Sequence, residues 1–78
     1  MLNTELLSPA AAFELALKLM REKNWVEASA LWRQYRDQYK GHPAPWTQGA
    51  ISLMRMGDTP AAAALLTSAR HHLLNPVR

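Results

Sequence analysis

Apolar residues recur along this chain at helical spacing in four runs, each bounded by helix start and stop signals. In the first run, Ala12, Leu15 and Leu19 lie beside Phe13, Ala16, Leu17 and Met20. Ser8-Pro9 opens it, with serine as a capping side chain and proline where a missing N–H costs nothing. This predicts a helix from Pro9 to about Glu22, then a turn at Lys23-Asn24, where Asn24 tolerates the left-handed conformation that a helix end often needs. The second run, from about Trp25 to Tyr39, turns Ala28, Leu31, Trp32 and Tyr35 inward and Glu27, Arg33, Arg36, Asp37 and Lys40 outward. Gly41-His42-Pro43 stops it. A third helix is expected from Ala44-Pro45-Trp46 to Met56, with Gly57 as its left-handed cap. Asp58-Thr59-Pro60 starts a fourth, covering about 60–73 and closed by Asn75-Pro76. No segment alternates with period two, so no strand is expected.

The pattern repeats once, at a spacing of 34 residues. Residues 9–42 laid over 43–76 coincide at ten positions, among them Pro9/Pro43, Ala16/Ala50, Leu19/Leu53, Met20/Met54, Arg21/Arg55 and Ala28/Ala62. A period of this length marks a stack of supersecondary units, none of which buries its apolar face alone. It divides the chain into a lead (1–8), two units (9–42 and 43–76) and a short tail (77–78). Connections of two to four residues force neighbouring helices to pack antiparallel.

These residues resemble two tetratricopeptide repeats. The second unit carries Trp46 early in its first helix, Ala50 at the helix crossing and Leu53 one turn on. The turn pair Gly57-Asp58 follows, then Ala62, Leu66 and Ala69. The first unit places Leu15, Ala16, Leu19, Ala28 and Trp32 equivalently. It departs at Ala12, where the tryptophan would stand, at Tyr35, where a small residue is usual, and at Lys40 in place of proline. The second departs at Gly49, where leucine is common. The resemblance implies an all-α fold: two tandem helix–turn–helix hairpins, four antiparallel helices forming a short right-handed solenoid.

The resemblance also implies a concave partner groove, lined by the first helix of each unit. Carried over position by position, it would present Phe13, Leu17, Met20 and Arg21, then Thr47, Ile51, Met54 and Arg55. Methionine adapts its shape to a ligand, and arginine grips carboxylates and carbonyls. The Lys and Asn with which the family clamps a terminal carboxylate are replaced by Phe13 and Leu17, so an apolar helix or extended segment is the expected ligand. The alternative is internal, with Leu2, Leu6 and Leu7 folding back into the groove.

Between Thr59 and Ala69 the fourth helix has no charged residue. A helix without a polar face is usually buried on both sides, and a terminal repeat normally ends in a polar cap. The outer face, Ala63, Ala64, Thr67, His71 and Leu74, is therefore expected to pack on something outside the four helices. A two-fold homodimer is the simplest supplier, with a partner protein or further domains of a longer chain as alternatives.

Composition narrows the chemistry. Seventy-eight residues make one small domain, and the absence of cysteine removes disulfides, thiolate ligands and thiol nucleophiles. No apolar run approaches a membrane span, and the acidic Met1–Leu7 stretch does not read as a signal peptide, so the expected location is cytoplasmic. The net charge of +3 comes from scattered basic residues without a basic run, so nucleic acid is not the expected partner. Trp32 and Trp46 lie on core stripes and are expected to pack rather than bind; Trp25 lies at a turn. Adjacent His71-His72 point about 100° apart, unlike a metal pair at i, i+4, and no cofactor or metal is expected. No phosphate-binding glycine loop and no nucleophile–His–carboxylate set appear, so no catalysis is expected.

The expected function is a non-enzymatic adaptor or scaffold that binds protein through the groove or the fourth helix. Two alternatives remain. Units resembling the pattern around His42-Pro43-Ala44-Pro45-Trp46 precede bacterial glycosyltransferases and sulfotransferases, which would make this a docking or regulatory domain. A small chaperone of a secreted or assembling subunit is the other.

Overall fold

Four helices follow one another, joined by short turns. The computed structural model describes residues 8–74, with side chains through His72. They are α1 (Pro9–Arg21), α2 (Trp25–Gln38), α3 (Ala44–Arg55) and α4 (Thr59–Ala69), the last continuing into a π-helical turn over Arg70–Leu74. There is no strand among the described residues. The proposed fold-back of Leu2, Leu6 and Leu7, the stop at Asn75-Pro76 and the side chain of Leu74 lie outside what is described. The fourth helix differs from expectation in its last turn, which widens from α to π after Ala69.

The ends are set by local chemistry. Ser8 Oγ accepts the Ala11 N–H at 3.2 Å, and Asp58 Oδ1 accepts that of Ala61 at 3.2 Å. α1 and α3 end in the same motif one period apart. Lys23 N–H donates to Met20 O (2.9 Å) and Asn24 N–H to Leu19 O (2.8 Å); Gly57 donates to Met54 O (2.9 Å) and Asp58 to Leu53 O (2.9 Å). The left-handed residue of the first turn is Lys23 (φ 63°), and Asn24 (φ −89°) precedes α2 instead. The bonding fixes this, because the left-handed residue must stand one place ahead of the donor to Leu19. Gly57 (φ +91°) takes the same position without a Cβ penalty.

Consecutive helices pack as two tandem hairpins: α1 on α2, and α3 on α4. α3 also lies against α2 and touches α1, so it covers one side of the first hairpin. Small residues allow the close crossings, with Ala16, Ala28 and Ala62 fully buried and Ala50 nearly so. Around them Ala12, Trp32 and Tyr35 form the buried core, flanked by half-buried Phe13, Leu17, Leu19, Met20, Leu31, Tyr39 and Ala44. Phe13 is its aromatic hub, with ring centroids 5.5 Å from Trp32, 5.9 Å from Tyr35, 5.6 Å from Tyr39 and 5.7 Å from His42. Trp32 Nε1 donates to Met20 Sδ at 3.4 Å, giving a buried indole its polar partner. Burial, and then neighbouring Tyr39, push the Tyr35 phenol above its usual range.

Candidate functional site

The eight groove positions separate into two environments. Phe13, Leu17 and Met20 are half-buried against the core of the first hairpin, and Arg21 pairs with Glu14 at 2.7 Å on the exposed side of α1. On α3, Thr47, Ile51, Met54 and Arg55 are all exposed. Thr47 donates to Pro43 O at 3.3 Å, and the Arg55 guanidinium lies 5.7 Å from the Trp25 ring centroid. Met20 and Met54, one period apart, thus share residue type but not burial.

Burial diverges in a pattern along the period. Ala16/Ala50 and Ala28/Ala62 are buried in both units, and Leu19/Leu53 and Leu31/Leu65 half-buried in both. Leu17 and Met20 are half-buried, whereas Ile51 is 36% and Met54 49% exposed. Trp32 is 0% exposed and its counterpart Leu66 42%. Trp32 faces the side on which α3 covers the first hairpin, and Leu17 and Met20 pack on the cluster that contains it. Trp32 Cβ lies 3.3 Å from where a Cβ on Gly49 would stand, and Ala44 packs on the same cluster. Among the described residues no helix follows α4 to cover Ile51, Met54 and Leu66.

The outer face of α4 is exposed as well. Ala63, Ala64, Thr67 and His71 are all on the surface, and Thr67 donates to Ala63 O at 3.1 Å. Ala64 lines a shallow groove of about 550 Å³ between α2 and α4, floored by Leu53 and Leu65.

A second constellation was not legible as a site in the sequence. The Arg36 side chain crosses from α2 to α3, where Nη1 donates to Pro45 O at 3.0 Å. Its guanidinium carbon lies 5.7 Å from the Trp46 ring centroid. Trp46, expected in the core, is only half-buried and stacks on His72, with centroids 4.9 Å apart and planes 26° apart. The His72 ring is oriented by its Nδ1, 3.0 Å from Ser68 O; a carbonyl only accepts, so Nδ1 carries the proton. Gly49 makes room for this arrangement, since a Cβ there would stand 2.5 Å from Arg36 Nη1. A glycine inside a helix was the one available signal. Burial, and then the like charge of Arg33, hold the Arg36 guanidinium below its usual value, with Asp37 opposing. Arg33, Arg36, Asp37, Lys40, Gly41, Trp46 and His72 enclose a cavity of about 460 Å³.

Among the described residues no three His, Cys, Asp or Glu side chains gather as a metal site, and no helix is long and apolar enough to cross a membrane. Comparison with protein-family models, curated proteins and solved structures gives no match.

Proposed function

We propose that this chain is a non-enzymatic protein-interaction module whose working surface is the uncovered side of its second hairpin, Ile51, Met54 and Leu66. The supporting observation is the periodic divergence in burial: the same side of the first hairpin is covered, and it is covered by a helix of a particular kind. α3 meets it with buried Pro45, Gly49 and Ser52, small or compact residues spaced i, i+4, i+7 on one face. It also offers Arg36 a backbone carbonyl in its first turn. The second hairpin repeats the arrangement with Arg70 one period after Arg36. The partner is therefore an amphipathic helix with a small-residue face and a free carbonyl near its start.

The chain's own first helix does not match this description. At the positions of Gly49 and Ser52 it carries Leu15 and Lys18, and Leu15 would occupy the space an arginine needs. Head-to-tail stacking of copies is thus disfavoured, which leaves a partner protein, further domains of a longer chain or a two-fold dimer through α4. The tetratricopeptide resemblance supports the same reading, and the cysteine-free composition fits the cytoplasm as the proposed setting.

The test is a methyl NMR titration of the full chain with a synthetic peptide carrying residues 43–57. Saturable shifts at Ile51, Met54 and Leu66, abolished by Leu66→Lys, are expected. No saturable shift would sink the reading. Shifts at those methyls on raising protein concentration alone, with doubled mass by light scattering, would make the partner a second copy.

A further inference from the structure

The cavity between the second half of α2, the start of α3 and the π-helical turn lies apart from the uncovered apolar side, and its chemistry differs. We infer that it is a binding site for an acidic peptide segment, with Arg33, Arg36 and Lys40 taking successive carboxylates. Four observations support this. First, neither Arg33 nor Lys40 has an ion-pair partner among the described residues, and Arg36 spends its bond on a neutral carbonyl. The three cations share the lining with one carboxylate, Asp37, so the site carries a net positive charge.

Second, the cations are spread out. Arg33 lies on α2 and Lys40 in the turn just past its end, so the cations are spread over more than one helical turn. Side chains on one face of an extended peptide recur about every 7 Å, so a peptide supplies carboxylates over that span where a lone ion cannot. Third, at about 460 Å³ the cavity is many times the volume of a single small anion; a water molecule in the liquid takes about 30 Å³. Fourth, His72 already fills a stacking position on Trp46, so the aromatic is not free to receive a nucleobase.

The mode of capture follows from the side chains. Arg36 is held by the Pro45 carbonyl and the Trp46 ring, so its guanidinium loses little freedom when a carboxylate arrives. Arg33 and Lys40 are exposed and gather the remaining negative charge. Desolvation of Arg36 beside Arg33 leaves two like charges close together, a repulsion that a bound anion relieves.

The test is a titration of the full chain with acetylated, amidated hexaglutamate, followed by ¹⁵N NMR. A saturable shift of the Trp46 indole and the His72 amide is expected, while the buried Trp32 indole stays in place as a marker of the fold. Arg33→Gln with Lys40→Gln should raise Kd at least tenfold, and Leu66→Lys should leave it unchanged, separating this site from the uncovered apolar side. Added salt should weaken binding steeply. No localised shift, or an unchanged Kd in the double variant, would overturn the proposal. Tighter binding of a single-stranded oligonucleotide or of inorganic phosphate to these residues would overturn it too, by assigning the cavity to a phosphate ligand.

Discussion

The two hairpins are built from nearly the same frame and end in opposite circumstances. Both cross at buried alanines, both end their first helix with the same pair of backbone hydrogen bonds, and both place an arginine near the end of the second helix. In the first hairpin the frame supports a covered aromatic core around Phe13 and Trp32; in the second the equivalent side is open at Ile51, Met54 and Leu66. Position in the stack, more than residue type, decides what a side chain does here. Met20 accepts a hydrogen bond from a buried indole, while Met54 meets solvent. Arg36 is seated on a following helix, and Arg70 is exposed. Burying about half of a leucine's area is worth roughly 1 kcal/mol. Covering the three open residues is therefore a meaningful gain for a domain whose total stability is small.

The largest expected contrast lies at position 32 against 66. Trp32→Ala should cost about 3–5 kcal/mol, enough to unfold much of the population, whereas Leu66→Ala should cost about 1 kcal/mol. Urea denaturation of both variants measures the difference, and equal losses would show that the second hairpin is as well covered as the first.

Gly49 offers a sharper test of the joint between the hairpins. Gly49→Ala should destabilise by about 1–3 kcal/mol, because the added Cβ displaces Arg36 and presses on Trp32. In an Arg36→Ala background the cost should shrink markedly, leaving the pressure on Trp32 set against a helix-propensity gain of up to about 1 kcal/mol. A double-mutant cycle reads this directly, and the same effect in both backgrounds would detach Gly49 from Arg36.

Ser52, fully buried on α3, has no hydrogen-bond partner for its hydroxyl, while its counterpart Lys18 is exposed. Ser52→Ala should stabilise the chain by about 1 kcal/mol, visible as a higher urea midpoint. A loss of stability instead would show that the hydroxyl is satisfied in solution.

The smallest effect separates the two turns. Lys23 bears the left-handed conformation with a Cβ and Gly57 without one, so Lys23→Gly should add about 0.5–1 kcal/mol and Gly57→Ala should remove about 1 kcal/mol. Thermal unfolding of the pair would show whether the turns are equivalent in energy as well as in bonding.

The helices, their order and the alanines at the crossings were legible in the sequence because each depends on local signals: capping residues, prolines in the first turn and apolar spacing. Asn24 shows the limit of reading a turn from propensity, since the bond to Leu19 puts the left-handed residue one place earlier, at Lys23. Trp46 shows the limit of reading a stripe. Its spacing marks it as core, yet in the second unit it stands at the edge, between Arg36 and His72. Phe13, placed on a groove by its position in the repeat, is drawn inward by four aromatic neighbours from α2 and the following turn.

What the sequence alone determined was the all-α architecture in two hairpins, because caps, periodicity and short turns act over a few residues. Only the tertiary structure decided which of two matching surfaces is covered, and that Arg36, Gly49, Trp46 and His72 meet in one place. Those outcomes depend on which helix lies against which, and a 34-residue repeat reads the same whether or not a third unit follows it.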